Sequence, residues 1–196
     1  MKPRTRIILL VLILLAASFL RFYRISVQSY WNDEGTSVAL ALRDLPTITE
    51  NASNDIHPPL YYYLLHGWIG LFDSSEVGTR SLSVVLGVAL VAALYALVRK
   101  YSSENTALLA SALAAINPLL IYFSQETRMY EMAALLSVLS MLALTHLFKG
   151  YKEKGSLPLG RACLWLLVTA LGVYTHYFVF AIVAAENVAV LLWFII

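Results

Sequence analysis

The 196-residue chain is 60% hydrophobic, 13% charged and has a mean hydropathy of +0.72. Soluble domains run at about 45–50% apolar and about 25% charged residues, so a water-soluble globular domain is excluded and an integral membrane protein is implied. The net charge of +2, with no basic run or basic motif interleaved with aromatics, argues against a nucleic-acid partner, and the single cysteine, Cys163, allows no intrachain disulfide.

Apolar segments lie near residues 7–25, 77–98, 105–123, 132–148, 162–176 and 178–196. A span needs about 20 residues, so several of these are short or tightly joined. The first follows Lys2, Arg4 and Arg6. A cleaved signal peptide is the rival reading, but "RFYRISVQSYW" supplies no small-residue cleavage site, so an uncleaved span is expected, with Arg21 and Arg24 snorkelling at its end. Residues 26–76 are long for a loop. The pattern "EGTSVALALRDL" predicts short amphipathic helices along the membrane surface. Ser74, Ser75 and Glu76 cap the second span, where Glu76 and Arg80 are spaced i,i+4; Ser103 and Glu104 cap the third, which Pro118 ends or kinks. "VYTHYF" marks a tight hairpin between the last two segments.

With the N-terminus inside, nine basic residues (Lys2, Arg4, Arg6, Arg99, Lys100, Lys149, Lys152, Lys154 and Arg161) fall at inner ends. Five (Arg21, Arg24, Arg43, Arg80 and Arg128) fall outside, a bias that supports a cytoplasmic N-terminus. The same topology brings "WNDEG", "NDIHPPLYYYLLH", "SQETRMY" and "YTHYF" to one outer face. The expected fold is an all-α polytopic bundle of about six membrane helices, a single domain over residues 1–196, with interfacial helices in the loop 26–76.

The outer clusters hold the chemistry. Asp33 and Glu34 are adjacent, and neighbours on a helix point about 100° apart, so separate jobs are expected: one a general base, the other a metal ligand or a structural acceptor. First-turn helix acids are the competing explanation. His57 precedes two prolines and suits a phosphate or a metal. Tyr61, Tyr62 and Tyr63 read as an aromatic belt. Arg128 is the only basic residue between Lys100 and Lys149, and its fork of donors suits a phosphate. If 124–131 is helical, Ser124, Arg128 and Glu131 share one face, and Glu126 and Tyr130 another; an Arg128–Glu131 pair is then the plain structural reading. Glu186 and Asn187 fall near mid-bilayer, as functional groups or as groups bonded between helices. His66 and His146 read as structural. No Walker loop, dinucleotide fingerprint, zinc spacing or nucleophile elbow is present.

This order of motifs resembles the N-terminal half of bacterial GT-C glycosyltransferases of the protein-mannosyltransferase-like and aminoarabinose-transferase-like families. The resemblance implies an inverting transfer of sugar from a polyprenyl-phosphate donor to a hydroxyl on the non-cytoplasmic face of the inner membrane. By position, Asp33 resembles the catalytic acid and Glu34 its acidic neighbour. Arg128 resembles the donor-phosphate arginine, and His57 stands where relatives often carry lysine. Glu126, with Tyr130 and His176, falls on the acceptor or metal side. A divalent metal is compatible with such a site, and no residue is assigned to one. Relatives continue beyond "LLWFII" through further spans, so the chain is expected to be either a fragment or a short protein that keeps the front half of the fold. Two further readings stay open: a non-catalytic subunit using the bundle as packing surface for protein partners, and a transporter of a phosphorylated lipid. Transport expects binding groups at the midplane, which only Glu186 and Asn187 offer.

Overall fold

The computed structural model describes residues 3–54 and 57–195. Lys2 and, within the second polar cluster, Asp55 and Ile56 lie outside the described residues. Among the described residues there are ten helices and no strand: α1 (Pro3–Phe22), α2 (Asn32–Ala41), α3 (Leu45–Ser53), α4 (Leu60–Leu71), α5 (Glu76–Tyr101), α6 (Glu104–Ile116), α7 (Pro118–Ser124), α8 (Tyr130–Lys154), α9 (Leu159–Val173) and α10 (Val179–Ile195). The chain is a helical membrane protein.

The six apolar segments map onto α1, α5, the α6–α7 pair, α8, α9 and α10. Three of them, α1, α5 and α8, are long and apolar enough to cross a bilayer; α6 and α7, bent by 59° at their junction, make a fourth if the pair is one broken span. α9 and α10, with 15 and 17 residues, are shorter.

Local chemistry sets these boundaries. The side chain of Ser75 caps α5 through Gly78 N, and Ser103 caps α6 through Thr106 N. The break before Pro118 forms as expected: Asn117 is extended, and its side-chain oxygen accepts from Leu119 N and Leu120 N to start α7. The hairpin at 174–178 also forms, between α9 and α10.

Small residues hold the spans together. Ala17, Val91, Ala114 and Ala115 form a buried cluster where α1, α5 and α6 meet. Lipid tails are as apolar as leucine, so close backbone approach through small side chains, not hydrophobic exclusion, favours this packing. Ile7, Ile8, Leu12, Leu15 and Phe19 stay exposed on α1, as a lipid-facing stripe requires.

The loop 26–76 contains helices, but their packing corrects one expectation. Tyr61 and Tyr62 are not an interfacial belt: they are 0% and 2% exposed and join Ala41, Ile48, Leu65, Leu82, Met129 and Met132 in a second core. His66 is structural, its Nδ1 lying 2.8 Å from the Ala41 carbonyl and so tying α4 to α2. Arg21 does not snorkel, and it is fully buried. The basic residues of the other end do gather there: Arg6 and Arg99 both approach Glu104, and Arg161 approaches Glu153.

Candidate functional site

Asp33 and Glu34 occupy the first turn of α2, where the positive end of the helix dipole favours acids. Their side chains diverge, as their 100° offset dictates. Glu34 is 1% exposed and gripped from two sides. Arg80 Nε and Nη2 donate to its two oxygens at 2.8 and 2.7 Å, a bidentate fork, and Thr127 N donates to Oε1 at 2.8 Å. Arg80 Nη1 also donates to the Ile25 and Gln28 carbonyls, both at 2.7 Å. Arg80 is thus committed to Glu34 rather than to an i,i+4 pair with Glu76. The Glu34–Arg80 pair ties α2, α5, the chain after α1 and the loop before α8 into one unit.

The stretch "SQETRMY" is not one helix. Ser124 ends α7, residues 125–129 form a turn, and α8 begins at Tyr130. The expected shared helical faces therefore do not exist, and the Arg128–Glu131 pair does not form. Glu131 accepts instead from Ser124 Oγ at 2.8 Å. The turn closes through long-range bonds: Gln125 Nε2 donates to the Arg21 and Tyr23 carbonyls, and Thr127 N to Glu34.

Arg128 projects from this turn toward α2. It is 5% exposed. Nη1 donates to the Asp33 carbonyl at 3.3 Å and to Ser37 Oγ at 3.2 Å, and Nη2 lies 3.6 Å from Asp33 Oδ2. Its guanidinium sits 5.7 Å from the Tyr130 ring centroid. Nε is buried and has no partner among the described residues. A buried donor left unbonded costs free energy, which makes an acceptor at this point favourable.

The aromatic wall continues from Tyr130 to His176, with centroids 6.1 Å apart, and on to His57, 5.7 Å from His176. Leu60 N donates to the Tyr174 carbonyl at 3.3 Å, which fastens the start of α4 to the hairpin. His176 Nδ1 accepts from Phe178 N at 3.1 Å, so the neutral ring carries its proton on Nε2. Burial, then the neighbouring His57 and Arg128, holds the His176 pKa below the usual histidine value.

Asp33, Arg128, Tyr130, His176 and His57 therefore form one continuous cluster. Glu126 stands apart from it. It is buried and lines a cavity of about 480 Å³ with Arg24, Gln28, Trp31, Tyr122 and Gln125, walled by Glu34 and Arg80. None of Asp33, Arg128, His57 or His176 lines that cavity. Burial pushes the Glu126 carboxyl above its ordinary value; a hydrogen bond from Tyr122 counters this in part, while the nearby Glu34 adds to the rise. Among the described residues no three His, Cys, Asp or Glu side chains are grouped to hold a metal ion.

Glu186 is satisfied between helices. Its oxygens accept from Ser140 Oγ at 2.8 and 2.9 Å and from Trp165 Nε1 at 2.9 Å, while Asn187 donates to the Val183 carbonyl. Two residues were undervalued in the sequence, Arg80 and Arg21. Each is an ionisable group at the edge of an apolar run, and that placement was the available signal.

A family model described as dolichyl-phosphate-mannose-protein mannosyltransferase matches residues 56–196. His57, Glu126, Arg128, Tyr130 and His176 lie within the matched region, and Asp33 and Glu34 precede it. No curated protein and no solved structure matches the chain. With most of its length covered by that model, the chain belongs to the dolichyl-phosphate-mannose-protein mannosyltransferase family of membrane glycosyltransferases, which act with lipid-linked sugar donors.

Proposed function

We propose that the protein takes part in inverting transfer of a sugar from a polyprenyl-phosphate donor to an acceptor hydroxyl, on the non-cytoplasmic face of the inner membrane with the N-terminus cytoplasmic. The observation that carries this is Arg128: buried, held from one side by the Asp33 carbonyl and Ser37, and with Nε unbonded among the described residues. A phosphate oxygen is the natural acceptor for such a fork.

The Asp33 carboxylate takes the proton of the acceptor hydroxyl. The oxygen attacks the anomeric carbon as the bond from that carbon to the phosphate oxygen breaks. Polyprenyl phosphate leaves with the electron pair, and Arg128 stabilises the charge that builds on it. His57 supports the phosphate when protonated. Tyr130 and His176 wall the site beside Arg128. Glu126, in its own cavity, serves the acceptor side. Glu34 contributes by position, because its carboxylate is spent on Arg80 and Thr127. The bias of basic residues toward the opposite end of the bundle supports the orientation.

The test uses the chain purified in detergent with a radiolabelled polyprenyl-phosphate mannose. Losing a charge-assisted contact to phosphate costs about 2–5 kcal/mol, so Arg128→Ala weakens donor binding at least tenfold. Arg128→Lys keeps the charge but not the fork, and retains part of the affinity. Donor binding left unchanged by Arg128→Ala rejects the phosphate role.

A further inference from the structure

The α6–α7 break creates a problem that one residue solves. Pro118 has no N–H to offer the Ala114 carbonyl four residues back, and Leu119 N is spent on the Asn117 side chain instead of the Ala115 carbonyl. Leu120 N is likewise spent on Asn117, so the Ala114, Ala115 and Ile116 carbonyls all lose their helical donors, the first two of them at buried residues of an apolar segment. Arg21 of α1 fills the two buried ones: Nη2 donates to the Ala114 carbonyl at 3.3 Å and Nη1 to the Ala115 carbonyl at 3.0 Å. Nη1 also reaches the Ala17 carbonyl of its own helix, at 3.3 Å.

A further donor points toward the site. Arg21 Nε donates to Ser124 Oγ at 3.0 Å, and Ser124 Oγ lies 2.8 Å from Glu131 Oε1 in the first turn of α8. Ser124 is the last residue of α7 and Glu131 the second of α8, so this chain brackets both ends of the turn that carries Glu126 and Arg128. The Arg21 carbonyl takes the Gln125 side chain in the same turn. α5 makes room for the bracket at Gly87: a Cβ there would clash with Ser124 Oγ and lie 3.0 Å from Arg21 Nε. Arg21 and Glu131 are both buried, and Glu131 Oε2 has no partner among the described residues.

We propose that Arg21, acting through Ser124 and Glu131, is the positioning residue for the anion-binding turn, fixing where Arg128 presents its guanidinium. This rests on the assignment of Arg128 to the donor phosphate. Arg21 touches no substrate.

The experiment measures binding of a short-chain prenyl monophosphate, and of the matching prenyl alcohol, to the full chain in lipid nanodiscs. The variants are Arg21→Lys, Ser124→Ala and Gly87→Ala, with Arg128→Ala in parallel. Ser124→Ala removes one hydroxyl and serves where Arg21→Lys does not fold. A misplaced Arg128 raises the phosphate Kd, at least threefold for Ser124→Ala and at least tenfold for Arg21→Lys, with site stoichiometry and alcohol Kd unchanged. A purely structural role lowers the stoichiometry and leaves Kd alone, or weakens phosphate and alcohol equally; either outcome overturns the proposal. If Arg128→Ala weakens phosphate binding and the bracket variants do not, the positioning role falls and the phosphate assignment stands. If Arg128→Ala changes nothing, the phosphate assignment falls, and any effect of the bracket variants is not positioning of Arg128.

Discussion

Asp33 and Arg128 are 95 residues apart in the chain, yet Asp33 Oδ2 and Arg128 Nη2 stand 3.6 Å apart. The pair is asymmetric: the Asp33 side chain is 39% exposed and that of Arg128 only 6%. The contact is long and open to solvent on the Asp33 side, so screening weakens it. A monoanionic phosphodiester donor that engages Arg128 competes with Asp33 for the guanidinium, and the displaced carboxylate is then free to act on an acceptor hydroxyl. The proposed base and the proposed phosphate clamp are coupled by this one contact.

Asp33→Asn tests that coupling. It removes the proposed base but keeps the shape, so turnover is expected to be abolished. Donor affinity is unchanged or tighter, because Arg128 loses a competing anion. Equilibrium binding and single-turnover transfer of a labelled polyprenyl-phosphate mannose separate the two. A variant that loses donor binding in proportion to turnover rejects the division of labour.

Glu34 behaves differently from its neighbour. Its carboxylate is buried with Arg80 in a bidentate pair and also takes Thr127 N. Removing one partner of a buried pair leaves the other uncompensated and costs about 3–5 kcal/mol. Glu34→Ala and Arg80→Ala each lower the thermal unfolding midpoint in detergent well below that of Asp33→Asn. The double substitution recovers part of the loss, since no lone charge remains. Equal midpoints for Glu34→Ala and Asp33→Asn contradict this.

What the sequence reveals here is local. Ser75, Ser103 and the Asn117–Pro118 break act through bonds spanning two to four residues, so their effects are readable in a short window. The gathering of polar clusters at one end follows from charge bias, another one-dimensional quantity. Arg80 was legible only as a neighbour of Glu76, because its true partner lies 46 residues away. The same distance hides the core role of Tyr61 and Tyr62: an aromatic beside a span suits a belt and a core equally until α2, α5 and α8 are packed around it. "SQETRMY" misleads for a related reason. Its composition suits a helix, but a distant carboxylate takes Thr127 N and the turn wins.

Glu186 separates transfer from transport. Its oxygens are already bonded to Ser140 and Trp165, so it has a structural role between α8, α9 and α10. Glu186→Gln keeps the oxygen acceptor, and donor binding stays within about twofold of native. A midplane transport site requires the charge, and Glu186→Gln then abolishes substrate binding. The measurement is the same labelled-donor titration.

Glu126 and His176 set opposite pH dependences. The Glu126 carboxyl is raised by burial, so the folded protein holds that proton more tightly than the unfolded chain does. Its contribution to stability is full below the ordinary glutamate pKa of about 4.3 and is lost as pH rises through the folded value. At pH 7, Glu126→Gln therefore unfolds at an equal or higher temperature than native, and the difference shrinks as the pH falls toward 4. His176 is lowered, first by burial and then by His57 and Arg128. Its contribution is full above about pH 6.5 and is lost as pH falls through the folded value. His176→Phe therefore removes the loss of stability that native shows as the pH falls below 6.5, whereas Glu126→Gln removes the opposite dependence, the gain in stability as the pH falls toward 4. Unfolding midpoints taken between pH 4 and 8 for native and both variants decide the matter. If Glu126→Gln lowers the midpoint equally at every pH, the carboxyl serves as a fixed hydrogen-bond partner of Tyr122, and its ionisation contributes nothing.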